Sequence, residues 1–375
     1  MAVIFTLPWL YVVMRSVMPL PWPLWCRLAL ALVLLIASRF HDWSKLSSGS
    51  RFDPDFPRGV VIAFNWLFGG LVLLMVFQLA FDLVALLALG LLGIGGAGGG
   101  AQAWIDARYA IWIAAFGLSA IGVWQATGVP RLRDVTVLIP NLPPAFEGYR
   151  LAQLTDLHIS RLFTARWARA VVDATNRLGV DLIVVTGDVI DGGVDSRRSG
   201  VAPLRDLSAR DGVWLSPGNH EYLSGYDAWM DHFASLGMGI LANAHTVIAR
   251  DDQALVLAGV TDKSARMADR PLPDLTLALT GAPRNAPVIL LDHEPGGARR
   301  AAAGGVALQL SGHTHGGMIL GLDRLVARGN GGFVSGAYAV DGMTLYVNNG
   351  TGIWPGFALR LGIAAELTRI TLRKA

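Results

Sequence analysis

Among 375 residues there is one cysteine, Cys26. That excludes an intrachain disulfide and any metal site built on thiolates. Set in an apolar run, Cys26 reads as an inert thiol. Histidine is also scarce, with eight in the whole chain. Charge is scarce in the first third: residues 1–128 hold 7 Lys/Arg and 5 Asp/Glu, against 24 and 23 in the remainder. No segment carries a large excess of one sign, and the net charge of +3 divides as +2 before residue 128 and +1 after it. Nucleic-acid binding ordinarily needs a clustered basic face, so no nucleic-acid partner is expected. No residue pattern points to a protein partner, and no internal repeat is visible.

Where charge is missing, long apolar runs take its place. They cover 3–18, 24–37, 60–92 and 111–127, with a start at 103 as the alternative for the last, and eight of the twelve tryptophans fall in this part of the chain. The 19–23 Pro-Leu-Pro-Trp-Pro stretch must break any helix, because proline donates no helical hydrogen bond. The glycine-rich 93–100 run reads as a turn. A span needs about 20 residues, which gives about four spans. The first run lacks a charged segment ahead of it and is followed by further apolar segments, which argues against a cleaved leader. Four spans put Arg39, Lys45, Arg51, Arg58, Arg131 and Arg133 on one side and Arg27 and Arg108 on the other. The positive-inside rule then predicts a cytoplasmic soluble domain on an integral membrane protein. Asp82 lies inside the third run and has no basic partner visible in the sequence. A buried charge there often marks function, but one carboxylate alone makes a poor relay, so a position near a helix end is the plainer reading.

The organisation expected is a membrane region over 1–128, a proline-rich linker over 129–148 and a soluble domain over 149–375. Short strand candidates lie at 149–155, 182–186, 212–215, 254–260, 288–291, 306–310 and 343–347, and several are nearly continuous apolar runs, which suits strands buried on both faces. Trp167, Val171, Ala174 and Leu178 line one face of a helix that Thr164 can cap and Gly179 can end. Another helix starts near Tyr226. Strand–helix alternation with a strand-rich end fits an α/β sheet-on-sheet sandwich with flanking helices.

Five polar blocks sit at or near the ends of these apolar runs: Asp156-Leu157-His158, Gly187-Asp188-Val189-Ile190-Asp191, Gly218-Asn219-His220-Glu221, Asp292-His293 and Gly312-His313-Thr314-His315. They contain five of the eight histidines. Side chains two apart on an extended chain share a direction, so Asp156 and His158 can chelate one cation. Asp188 carries two oxygens and could bridge two cations. Asn219 offers a neutral oxygen and His293 a nitrogen, and a turn between glycines lets His313 and His315 diverge to separate metals. This donor set suits two divalent metals, Mn²⁺, Fe or Zn²⁺, rather than a structural zinc knot. Any one block could arise by chance, whereas five in order could hardly do so.

The series D-x-H, G-D-x-x-D, G-N-H-E, H and G-H-x-H resembles the calcineurin-like metallophosphoesterase superfamily over about 150–371. The multi-span start, and less closely the Asn348–Gly362 stretch, resemble its membrane-associated bacterial branch. The resemblance implies a four-layer α/β/β/α sandwich and a bacterial inner-membrane location. It implies Asp156, His158, Asp188 and His315 on one metal and Asp188, Asn219, His293 and His313 on the other. It makes His220 a phosphate contact that protonates the leaving oxygen, Asp191 an orienting group, and Asp292 a hydrogen-bond partner of a ligand. Two cations about 4 Å apart would bind phosphoryl oxygens and lower the pKa of a water enough to supply hydroxide. The expected activity is hydrolysis of a phosphodiester or pyrophosphate, on a soluble or lipid-borne substrate. The 353–358 Ile-Trp-Pro-Gly-Phe-Ala stretch reads as an apolar contact or a buried loop. A metal-binding scaffold or sensor for a membrane partner, and an accessory domain of a transporter, are the alternatives.

Overall fold

The computed structural model describes residues 2–92 and 101–375, so the turn expected at 93–100 lies outside the described residues. The chain divides into two compact units. The first holds the residues up to Gln125 together with Pro355–Leu359, and the second holds Ala126–Trp354 and Arg360–Ala375.

The first unit is helical. Helix Ala2–Val12 continues through a π-helical turn, Val13–Val17, and the proline stretch separates it from Leu24–Ser38. Helices Arg58–Leu92 and Ala101–Ala126 follow. Among the described residues two helices are long and apolar enough to cross a membrane, and a third crossing is reached if Leu24–Ser38 and Phe40–Ser48, bent by 52°, count as one. The first apolar run ends its helix at Val17, short of the about 20 residues a span requires.

Asp82 is not alone. Arg15 grips its carboxylate with two nitrogens, at 2.9 and 3.0 Å, and Tyr11 and Gln78 donate to it at 2.6 and 2.8 Å. Ser16 completes the chain by donating to Gln78. The missing basic partner was invisible because it lies 67 residues away, within the π-helical turn. A second polar group of the same long helix, Asn65, is buried and binds backbone at both ends of its amide. It donates to the Pro355 carbonyl at 2.9 Å and accepts from Ala358 N–H at 2.6 Å. Phe357 meets Phe68 edge-on. The stretch read as an apolar contact or buried loop is therefore in part a backbone loop of the helical unit.

The second unit is built on twelve strands: β1 Arg131–Ile139, β2 Arg150–Leu154, β3 Leu182–Thr186, β4 Val213–Ser216, β5 Gly239–Ile240, β6 Ala244–Arg250, β7 Gln253–Gly259, β8 Val288–Leu291, β9 Leu308–Ser311, β10 Gly336–Val340, β11 Met343–Val347 and β12 Glu366–Lys374. They form two six-stranded sheets in the orders β1-β12-β2-β3-β4-β5 and β10-β11-β9-β8-β7-β6. In the first, β2, β3, β4 and β5 run parallel; in the second, β7, β8, β9 and β11 do. Side chains from both sheets share one core, including Leu151, Val184, Leu257, Leu291, Leu310 and Ile370. A further cluster packs Leu290, Leu345 and Val347 against Ala298 and Ala301 of a short helix. This is a mixed α/β sandwich of two sheets.

The stretch assigned as a linker contains β1, which pairs parallel with β12 from Arg131↔Glu366 to Ile139↔Lys374. Two of its four prolines, Pro130 and Pro140, flank the strand, and none interrupts it. Proline is tolerated there because it removes no ladder hydrogen bond.

Candidate metal centre

Parallel strands present their carboxyl ends at one edge of each sheet, and the five blocks are what follow them. β2 stops at Leu154 before Asp156 and His158, β3 at Thr186 before Asp188, β4 at Ser216 before Asn219 and His220, β8 at Leu291 before His293, and β9 at Ser311 before His313 and His315. Asp156, His158, Asp188, His313 and His315 all have left-handed backbones, with φ between 47° and 67°. Such a conformation costs on the order of 1–3 kcal/mol in a non-glycine residue and persists only where the surroundings impose it. Glycines let the loops close in. A Cβ at Gly218 would lie 2.3 Å from Asp188 Oδ1, and one at Gly312 would lie 2.3 Å from Asp156 Oδ2.

The side chains meet in three groups of metal-ligating type: Asp156 with His158 and His315, Asp188 with His293 and His313, and His158 with Asp191 and His220. His315 Nε2 is 3.5 Å from Asp156, and His158 Nε2 is 3.9 Å from both Asp156 and Asp188. His293 Nε2 lies 3.1 Å from Asp188. The Asn219 side-chain oxygen is 3.0 Å from His313 Nδ1. Asp191 joins two rings, one oxygen at His158 Nδ1 and the other at His220 Nδ1.

The electrostatics follow from this crowding. Burial favours a neutral Asp188, but the His293 and His220 rings outweigh it and hold the carboxyl well below its usual range. Burial likewise opposes charge on Asp191, and His158 and His220 bring it down to about 2. His220 is pushed up to about 10, since Asp188 and Asp191 overcome the desolvation of its ring. His293 rises well above the ordinary imidazole value for the same reason, chiefly because of Asp188.

The residues fit cations. His293 Nδ1 faces the Thr186 carbonyl at 2.7 Å, which needs the ring proton there and leaves Nε2 as a lone pair aimed at a carboxylate. His293 Nε2 and His158 Nε2 are buried, face carboxylates and make no hydrogen bond among the described residues. Acceptors facing acceptors call for a proton or a metal between them.

Three supporting roles are not legible in the sequence, although Glu221 itself stands in the G-N-H-E block. Glu221 is fully buried, and its carboxylate accepts from the N–H groups of Asp188, Gly218 and Val189 at 3.0, 2.7 and 2.7 Å, fastening the Asp188 turn to the Asn219–His220 turn. Replacing Glu221 with alanine leaves these donors buried without an acceptor, so it should lower stability by about 3 kcal/mol or more. Thermal melting of the full chain in detergent checks this, and a midpoint within a degree of wild type would discard the role. Arg360 is also fully buried. It donates to the carbonyls of His315, Asn349 and Gly352 at 3.2, 2.7 and 2.8 Å, and burial brings its pKa down to about 10. The Thr186 carbonyl is the third, since it sets the His293 tautomer. Each works on or through backbone.

Asp292 departs from expectation. Its carboxylate lies near Gln309 Nε2, at 3.5 Å, and no hydrogen bond to a candidate ligand is found among the described residues. Successive side chains of an extended chain point to opposite sides, so Asp292 turns away as His293 turns in. Burial, with Asp262 and Glu294 nearby, pushes its carboxyl up to about 7.

The profile described as calcineurin-like phosphoesterase matches residues 149–317. An uncharacterized metallophosphoesterase of Bacillus subtilis, YkuE, is 34% identical over 246 residues, covering 64% of this chain and 84% of that one. A transmembrane protein with metallophosphoesterase domain from Danio rerio is 33% identical over 267 residues, covering 69% and 61%; its counterpart in Bos taurus is 34% identical over 270 residues, covering 69% and 60%. The chain thus spans about three-fifths of the length of these two relatives. Among solved structures, a 5'-nucleotidase precursor from Thermus thermophilus is similar at 16% identity, with a TM-score of 0.37 and coverage of 60% of this chain and 55% of that one. The chain belongs to the calcineurin-like metallophosphoesterase family.

Proposed function

We propose that this protein is a metal-dependent hydrolase of phosphodiesters or pyrophosphates at a membrane surface, acting on phosphorylated small molecules or lipids. The observation that carries the reading is the face-to-face placement of imidazole nitrogens, unpartnered among the described residues, and carboxylates: His293 Nε2 with Asp188, and His158 Nε2 with Asp156 and Asp188. Asp156, His158, Asp188 and His315 would hold one divalent cation, Mn²⁺, Fe or Zn²⁺, and Asp188, Asn219, His293 and His313 the second. Bound there, the pair supplies Lewis acidity toward phosphoryl oxygens and a water-derived nucleophile at neutral pH.

The chain's own groups do the rest. Asp191 holds His220 through Nδ1, which leaves Nε2 to carry a proton toward the leaving oxygen. The His220 side chain is 14% exposed, so a substrate can reach it. Asp188 Oδ1 accepts the His220 N–H at 2.8 Å, tying the proton donor's backbone to the carboxylate that would serve both cations. Residues 1–128 serve as the membrane region. The two long apolar helices by themselves leave Arg39, Lys45, Arg51 and Arg58 on the same side as Arg131 and Arg133, which supports a cytoplasmic location for 149–375 at a bacterial inner membrane.

Chelation should abolish hydrolysis of bis(p-nitrophenyl) phosphate by the full chain in detergent, and Mn²⁺ should restore it. The pH dependence has a definite sign. His293 must lose its proton to bind metal, and its metal-free pKa is raised. Metal uptake therefore releases protons, and apparent affinity climbs as pH rises through neutrality. Titration calorimetry in buffers of different ionisation enthalpy reads the released protons. Full activity after exhaustive chelation would reject the metal-dependent reading.

A further inference from the structure

The lobe that follows His315 is apolar and exposed. Leu320, Leu322 and Leu325 are 74%, 40% and 61% exposed, and helix Asp323–Gly329 buries none of its residues. A lone surface leucine needs no explanation. Three within six positions, on a lobe fastened to the candidate metal centre, do.

The fastening is at both ends. Where the lobe departs, Gly317 packs so close to Asp323 that a Cβ would lie 2.5 Å from its Cα. Where it returns, the Thr314 hydroxyl, between His313 and His315, donates to the Val334 carbonyl at 2.7 Å. Midway back, Gly331 approaches Gly296, three residues beyond His293; a Cβ at Gly331 would lie 3.4 Å from the Gly296 Cα. The lobe therefore borders the turns that carry three candidate ligands. Arg324 and Arg328 are exposed on the same helix and form no ion pair among the described residues.

We propose that this lobe receives the hydrocarbon chain of an amphiphilic phosphodiester whose phosphate lies at the metal centre, with Leu320, Leu322 and Leu325 against the chain and Arg324 and Arg328 beside the anionic head. The inference rests on the phosphoesterase reading above and adds a substrate class and its specificity residues. Two features select this occupant. Exposed leucines and arginines that form no ion pair among the described residues lie together within 320–328, which matches a molecule apolar at one end and anionic at the other. The same chain also carries helices apolar enough to cross a bilayer, where such amphiphiles are concentrated.

The test uses the full-length protein loaded with Mn²⁺ at a fixed detergent mole fraction, with methyl and dodecyl p-nitrophenyl phosphate as the paired substrates. Wild type should favour the dodecyl ester by about tenfold or more in kcat/KM, a preference that burial of two methylenes already supplies. L320S/L322S/L325S should bring the ratio close to one while methyl-ester turnover and metal content stay at wild-type values. L325S alone should lower the ratio part of the way. A wild-type ratio near one, or a preference that survives the triple change, overturns the proposal and leaves the phosphoesterase reading standing. Cleavage of neither ester by protein holding two metals per chain would defeat both.

Discussion

Asp188→Asn should cost on the order of a thousandfold in turnover of bis(p-nitrophenyl) phosphate, about 4 kcal/mol of transition-state stabilisation. The substitution is chosen for its backbone. Asp188 sits at φ 53°, and asparagine tolerates that conformation where alanine adds strain. Asparagine also keeps an oxygen to accept the His220 N–H. What it loses is the negative charge that three rings approach: His293 at 3.1 Å, His158 at 3.9 Å and His220 at 3.9 Å. The proposed ligand sets share only this carboxylate, so metal content should fall with activity. Elemental analysis beside the rate measurement separates loss of metal from loss of fold. A variant with two metals per chain and undiminished turnover would end the bridging assignment.

His220→Gln should show an effect that depends on the leaving group. Loss of a positioned acid costs about 10²–10⁴-fold, but only where the departing oxygen needs a proton. With an alkyl alkoxide leaving the full loss is expected, whereas with p-nitrophenolate, which departs readily as an anion, it should shrink severalfold or more. Metal content should stay unchanged, because His220 lies outside both proposed ligand sets. If His220 served only to brace Asp191, to which its Nδ1 is bonded, the loss would be equal for both esters. That uniform result would remove the acid assignment.

Legibility differed sharply between strands. Each of the seven strand candidates became a strand, namely β2, β3, β4, β7, β8, β9 and β11. Of the five strands not foreseen, β1, β5, β6 and β10 are the four sheet edges, and β12 sits one place in from β1. An edge strand is covered on fewer sides, so it alternates or stays short rather than forming a continuous apolar run. β6, Ala244–Arg250, shows this with one buried residue, Ile248. β12 alternates too, since Thr368, Thr371 and Arg373 interleave with Leu367, Ile370 and Leu372.

The candidate site was legible for a different reason. Its donors are short side chains at strand ends, and the chemistry of imidazole and carboxylate is written in the residue types. The structure brings Asp156, His158, Asp188, His293, His313 and His315 into two groups. The supports were not legible, because they depend on where backbone goes. Nothing in Glu221 announces that three amides will converge on it, and nothing in Arg360 announces a nest of carbonyls. Arg15 and Asp82 failed to pair on paper because their meeting depends on how distant helices fold together.

The Asn65 amide carries one more implication, which concerns the order of synthesis. Its backbone partners, Pro355 and Ala358, lie 290 and 293 residues further along the chain. A chain emerges amino-terminus first, and its early parts begin to fold before later ones exist. The helices up to Gln125 must therefore wait, with the Asn65 side-chain oxygen unanswered, while the strands that intervene are made. Completion of the helical unit is thus a late event, one that follows synthesis of residues 126–354.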